Sequence, residues 1–366
     1  MVFHIGFAIS AYQTEGNNHN SDWYYYEKKK LLPESGNCCN LWEKYEKIIN
    51  ILLDLNVNSF RFSIEWSRIY PSKDKIDYSS LRRYIRFIVK LKENNIIPFV
   101  TFWHFTNPKW FHDLGGWKYK ENIVYFLEYV ELLAKNLKDL VKFYIIVNEP
   151  LVYSLSGYFW STWPPFEKVE KFEDTKLFLD VYENIKIAAK EANKILKEVD
   201  NNNFTIYTEN VSDISKVIPF IGSDVMKILI NSYPNEIDGI GINYYGYAES
   251  LSDVRNRNFK MSLKIYEKIL RRLHKKYNKP IFITEVGINT EDEYERVSKL
   301  KNIILYTFKV RKKYDIKGLF IWSLCDNYEW DIGYNAHFGI LTRDLKEKDS
   351  YYELKEFLLK IKQKNI

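Results

Sequence analysis

Short apolar runs alternate with longer amphipathic stretches along the whole chain. The runs are Phe3–Ser10, Val57–Ile64, Ile96–Phe102, Phe143–Val147, Phe204–Thr208, Ile237–Asn243, Pro280–Thr284 and Gly318–Leu324. Most of their residues are apolar in succession rather than alternating, which predicts strands buried on both faces, as in a parallel sheet. Between them, apolar residues recur at helical spacing over Leu41–Leu55, Ser80–Asn94, Asn122–Leu140, Thr175–Val199, Phe259–Tyr277 and Glu293–Tyr314, with a last helix over Tyr351–Ile361. The connection after the fifth run is weaker, and Ile221–Ile230 predicts only a short helix. Strand followed by helix, eight times over, predicts an α/β fold: a (β/α)8 TIM barrel, with residues 1–366 forming a single domain. A doubly wound open sheet is the alternative. It would carry a glycine-rich phosphate loop after the first strand, and none is present.

The polar residues that close these runs change the picture from fold to chemistry. The run Phe143–Val147 leads into Asn148, Glu149 and Pro150, and Pro280–Thr284 leads into Glu285, Val286 and Gly287. Pro150 ends the strand and biases Glu149 toward extended geometry. A lone carboxylate at a strand end is commonly a helix cap or one half of a salt bridge. Two of them at strands four and seven face one another across a barrel mouth. Opposed carboxyls are what glycosidic cleavage requires: one acid to protonate the leaving oxygen, and one nucleophile or base on the other face. Arg61, flanked by Phe60 and Phe62, is a partner that can keep Glu285 ionised, and Tyr245 after strand six can hold the same carboxylate. Asn148 and His104 are placed to bind substrate hydroxyls. Trp322, Glu329 and Trp330 offer ring faces and a carboxylate to a sugar.

Composition narrows the classes. The formal charge of +6 comes from 54 basic against 48 acidic residues, a mixed surface and not a nucleic-acid-binding tract. The six His have no metal-ligand spacing, and no Walker loop or nucleophile elbow is present, so neither a metal nor another cofactor is expected. Cys38 and Cys39 are adjacent and Cys325 is remote, which gives no disulfide framework and suggests a reducing compartment. No apolar run has membrane-spanning length, and Phe3–Ser10 reads as a strand and not as a signal core. The expected protein is soluble and cytoplasmic, without nucleic-acid or membrane partners. The long loops Ala11–Asn40, Leu151–Asp174 and Cys325–Asp349 are rich in aromatic residues, which suits the walls of a cleft.

Taken in order, the motifs resemble glycoside hydrolase family 1, the retaining β-glycosidases. The resemblance runs from Phe7–Gly16 through Arg61–Ile69, Asn148-Glu149-Pro150 and Thr284-Glu285-Val286-Gly287 to Gly333-Tyr334 and His337–Ile340, almost the whole chain. It implies that Glu149 is the acid/base and Glu285 the nucleophile, supported by Arg61 and Tyr245. It further implies sugar contacts from Gln13, His104, Asn148, Trp322, Glu329 and Trp330, with Phe338 bordering the sugar. The retained Glu329-Trp330 pair implies an unphosphorylated sugar, and the retained Glu149 implies O-glycosides. Phe105 stands where many members carry Trp. Asn17–Asn40 and Glu209–Glu236 are short for the family, so shortened βα loops and a widened leaving-group side are expected. The implied activity is exo-acting hydrolysis of β-linked glucose, galactose or fucose-type sugars from a β-glycoside or oligosaccharide. Transfer of the sugar to an alcohol or sugar acceptor is the second reading, and a non-catalytic sugar-binding barrel the third.

Overall fold

The computed structural model describes residues 2–167, 176–215, 217 and 228–363. Eight parallel strands close into a barrel in sequence order. They are β1 (His4–Ala8), β2 (Ser59–Ser63), β3 (Ile97–Trp103), β4 (Phe143–Asn148), β5 (Phe204–Asn210), β6 (Gly239–Tyr244), β7 (Ile281–Val286) and β8 (Ile316–Trp322). All eight coincide with the apolar runs. β1 pairs with β8 through five consecutive residue pairs, His4–Gly318 to Ala8–Trp322, which shuts the barrel. Every residue of β4, β6 and β7 is buried, because helices cover the outside while the opposite side chains fill the inside.

Two cores share the sheet. Inside the barrel, Phe99 stacks on Phe143 at 4.4 Å and meets the edge of Phe320 at 4.7 Å. With Ile145, Ile206 and Phe282, these rings fill the barrel interior. Packed aromatic rings there leave substrate only the open mouth, at the C-terminal ends of the strands. Outside, the helices Leu41–Asp54, Tyr78–Glu93, Ile123–Leu137, Leu177–Val199, Leu263–Tyr277, Glu293–Val310 and Asp349–Gln363 form a ring, each burying one apolar face.

The helix boundaries differ from the periodicity in small ways. The stretch expected from Phe259 starts its helix at Leu263, because the Ser262 hydroxyl accepts the Ile265 N–H and Lys260 instead bridges Tyr247. The helix from Glu293 ends at Val310. Residues 221–227 of the short helix expected between β5 and β6, and Thr175 at the expected start of another, lie outside the described residues; 228–230 are helical.

Pro150 does not hold Glu149 in extended geometry. Glu149 has φ 45° and ψ 53°, in the left-handed region, and the helix Pro150–Tyr158 begins immediately after it. The Glu149 N–H donates to Thr208 O at 2.8 Å, which continues the β4–β5 ladder through the turn. Pro150 takes the first helical position, where a missing N–H costs nothing. A left-handed glutamate is an uncommon conformation that its surroundings must hold in place.

Candidate active site

At the barrel mouth the polar strand ends converge into one hydrogen-bonded cluster. Arg61 on β2 is fully buried and lies at its base. Its guanidinium donates to Glu285 Oε1 at 2.6 Å, to the Thr284 carbonyl at 2.9 Å and to Asn148 Oδ1 at 2.6 Å. Tyr245 donates its hydroxyl to the other Glu285 oxygen at 2.5 Å. One carboxylate therefore accepts from a cation and a phenol on opposite oxygens, an arrangement suited to the ionised form.

Glu149 is held differently. Asn243 at the end of β6 donates to Glu149 Oε1 at 2.5 Å and to Asn148 Oδ1 at 3.1 Å, while its own Oδ1 accepts from Thr284 at 2.7 Å. Asn243 also lies opposite Glu285 in the β6–β7 register, after a shift in the ladder at Ile242. It thus bridges the two carboxyl-bearing strand ends. Burial pushes both carboxyls above the usual carboxylate range. The negative Glu285 raises Glu149 further, whereas Arg61 and Tyr245 pull Glu285 back down. Of the pair, Glu149 is raised further, and the Arg61 cation and the Tyr245 hydroxyl favour charge on Glu285.

Around this pair stand the other residues singled out in the sequence. His104 is buried, and burial together with the Arg61 charge holds its pKa well below the ordinary value, so the ring is neutral. One ring nitrogen is 3.4 Å from Asn148 Nδ2, and Nδ1 has no partner among the described residues. The ring lies nearly parallel to Trp322 at 5.8 Å and to Trp330 at 6.0 Å. Glu329 is pushed up to about 7, chiefly by burial. Phe338 packs against Tyr245 at 5.6 Å. Gly287 after β7 has no room for a side chain, since a Cβ there would fall 2.2 Å from the Trp322 carbonyl oxygen. That close approach brings the ends of β7 and β8 together.

A pocket of about 290 Å3 opens over this cluster, near the small end of ligand sites. His104, Asn148, Glu149, Tyr245, Glu285, Trp322, Glu329, Trp330 and Phe338 line it. Gln13 and Arg61 sit behind that lining. Gln13 is fully buried, and its amide donates to Glu329 Oε2 at 3.0 Å, to Asn327 Oδ1 at 3.0 Å and to the Tyr328 carbonyl at 2.9 Å. It holds the loop after β8 in place of presenting its amide to the pocket. Phe105 lies against Trp330 at 5.2 Å and Trp163 at 5.0 Å.

Three participants were not assigned from the sequence. Asn243 closes the sixth apolar run, and its polar side chain at a strand end is the available signal. Trp163 packs 5.7 Å from Trp330 and donates to Asp331 at 2.8 Å, and nothing local to its loop marks it. Arg257 pairs with Asp331, and its charge also reaches Glu329.

Comparison with known proteins agrees with this geometry. The sequence profile described as Glycosyl hydrolase family 1 matches residues 2–221 and 249–358. β-Glucosidase A of Acetivibrio thermocellus is 28% identical over 437 aligned positions, covering 96% of each protein. That alignment is longer than the 366 residues present here, so gaps fall within this chain, in keeping with shortened connections. The solved structure of the β-glycosidase from Pyrococcus horikoshii superposes with a TM-score of 0.85 at 29% identity, covering 97% of this chain and 93% of that one. The chloroplastic galactolipid galactosyltransferase SFR2 of Arabidopsis thaliana is 24% identical over 85% of this chain and 56% of its own length. A barrel with these strand ends, matched by the family profile along most of its length, is a member of glycosyl hydrolase family 1, a β-glucosidase-like glycoside hydrolase.

Proposed function

We propose that the protein is a retaining, exo-acting β-glycosidase working by double displacement. The observation that carries this reading is the unequal treatment of two buried carboxyls: Glu285 is gripped by Arg61 and Tyr245, and Glu149 accepts from the neutral Asn243. Glu149, protonated at rest, gives its proton to the glycosidic oxygen as the Glu285 carboxylate attacks the anomeric carbon. The C–O bond to the leaving group breaks, the alcohol departs, and a glycosyl ester forms on Glu285. That ester is neutral, so the repulsion that raised Glu149 vanishes and its pKa falls. Glu149 then takes a proton from water, which attacks the same carbon and frees the sugar with its β configuration retained.

The surrounding residues bind and orient the sugar. His104 and Asn148 meet hydroxyls, Glu329 accepts from further hydroxyls, and Trp322, Trp330 and Phe338 offer ring faces. Gln13 acts through Glu329, which its amide holds. Glucose, galactose and fucose-type sugars are the proposed range. A cytoplasmic setting and a single catalytic domain belong to the same proposal. Sugar transfer to an acceptor is the second reading, favoured by the likeness to the galactolipid galactosyltransferase. In it, an alcohol replaces water in the second step.

Release of the β anomer of glucose from an aryl β-glucoside, followed by proton NMR before mutarotation, tests the proposal. Initial formation of the α anomer would overturn retention. Activity surviving intact in Glu285→Gln would overturn the assignment of the nucleophile.

A further inference from the structure

Asp331 stands in the 3-10 turn Trp330–Ile332 after β8, directly beyond Glu329 and Trp330. Its Oδ1 accepts the Trp163 indole N–H at 2.8 Å and a second hydrogen bond from the Arg257 guanidinium. Trp163 follows the helix Pro150–Tyr158 after β4, and Arg257 follows the short helix Leu251–Arg255 after β6. One carboxylate therefore ties three loops together across the barrel mouth, and Trp163, Arg257 and Asp331 all line the pocket. Trp330 has φ 55°, a left-handed conformation that a bulky residue keeps only where its surroundings hold it. Trp23 at 4.6 Å and Trp163 at 5.7 Å pack on its ring, and Asp331 anchors the chain one residue on.

The Arg257 guanidinium is itself fixed. It donates to the Arg255 carbonyl at 2.7 Å and to the Val254 carbonyl at 3.3 Å as well as to Asp331. The side chains of the Arg257–Asp331 pair are 17% and 24% exposed, so salt screens them less than an exposed pair such as Lys135–Glu131. The charge of Arg257 acts on Glu329. Burial raises the Glu329 carboxyl to about 7, and Arg257 is the strongest opposing influence; Glu285 and Asp331 raise it further, and the Gln13 amide lowers it. Of the other titratable groups around this pocket, Tyr245 gives its hydroxyl to Glu285, His104 is neutral, and burial raises Glu149. Arg255 also lines the pocket, but it is exposed. An ionised Glu329 accepts strong hydrogen bonds on both oxygens, whereas the protonated acid accepts more weakly.

We infer that Arg257 and Asp331 are positioning residues for sugar binding: their ion pair fastens the turn that carries Glu329 and Trp330 to the loop after β6, and the Arg257 cation sets the charge with which Glu329 receives the sugar hydroxyls. This rests on the β-glycosidase reading above and adds two residues to the same site.

The test is KM for an aryl β-glucoside against pH in the wild type, Arg257→Gln, Asp331→Asn and Arg257→Lys. KM is flat where Glu329 is ionised and rises as pH falls through its titration. Glu149 and Glu285 contribute alike to all four profiles, and partial misfolding lowers the active fraction without moving KM. Arg257→Gln and Asp331→Asn break the same ion pair, so the flat part should rise about two- to fivefold in both. The onset of the rise should move in opposite directions. It should go up by about one pH unit in Arg257→Gln, which loses a positive charge, and down in Asp331→Asn, which loses a negative one while the Val254 and Arg255 carbonyls keep Arg257 in place. Arg257→Lys keeps the charge, and its onset should stay near that of the wild type. An onset unmoved in both, or moving the same way in both, would overturn the inference and leave the glycosidase reading standing. So would an unchanged flat part in both, or an Arg257→Lys onset that matches Arg257→Gln. A wild-type protein that does not turn over the aryl glucoside would instead overturn the glycosidase reading and the inference with it.

Discussion

Tyr245→Phe removes one oxygen from the site and keeps the ring that packs on Phe338. The lost group is a hydroxyl donating to Glu285 at 2.5 Å. A hydrogen bond to a charged group contributes about 1.5–3 kcal/mol, and one pKa unit corresponds to about 1.4 kcal/mol. The bond favours the ionised carboxylate, so losing it raises the proton affinity of Glu285 by about one to two units. Glu285 must be ionised to attack. The acid limb of kcat/KM, where activity disappears as pH falls, should therefore move upward by that amount. Arg61 remains in place at 2.6 Å and prevents a larger shift. The assay is kcat/KM for an aryl β-glucoside against pH in the wild type and the variant. Because the two carboxyls titrate as a coupled pair, the limbs report the pair's apparent values, and the comparison is of limb positions. A lower rate with an unmoved acid limb would refute the claim that Tyr245 keeps Glu285 ionised.

Glu149→Gln should lower kcat/KM on alkyl glucosides by about 10²–10⁴, since their alcohols leave only with a proton, and by much less on a nitrophenyl glucoside, whose leaving group departs as the anion. Equal losses on both substrates, measured side by side, would contradict proton transfer by Glu149. Glu209 at the end of β5 is a separate buried carboxyl, pushed up to about 8 by burial even though Tyr182 and Tyr207 donate to it at 3.0 and 3.2 Å. A raised folded-state pKa means that the native protein binds the proton more tightly than the unfolded chain. Its stability contribution is therefore full below about 4.5 and is lost as pH rises through about 8. Glu209→Gln does not titrate, so its stability in urea relative to wild type should grow by a few kcal/mol between pH 5 and pH 8.5; a pH-independent difference would contradict the buried neutral carboxyl.

The barrel was legible because its strands are buried on both faces, and that burial writes itself into the sequence as unbroken apolar runs. Carboxyls ending two such runs were visible for the same reason, as charges where the pattern calls for none. What was hidden depends on register and on packing between distant residues. Asn243 touches Glu149 because the β6–β7 ladder shifts at Ile242, which residue types do not encode. The left-handed turn at Glu149 is held by Thr208 on the next strand, against the local preference set by Pro150. Gln13 is near the site in every sense the motif conveys, yet three acceptors on the loop after β8 keep its amide behind Glu329. Trp163 reaches Trp330 across a long sequence separation and carries no local signal at all.

The central claim is that Glu285 forms a covalent bond to the sugar. A 2-deoxy-2-fluoro-β-glucoside with an activated leaving group slows both chemical steps and lets the glycosyl ester accumulate. Incubation with this reagent, followed by mass spectrometry of the intact chain and its peptides, should show one fluoroglucosyl addition, located on Glu285. An enzyme that turns over aryl glucosides but takes no label, or takes it on Glu149, would contradict the account.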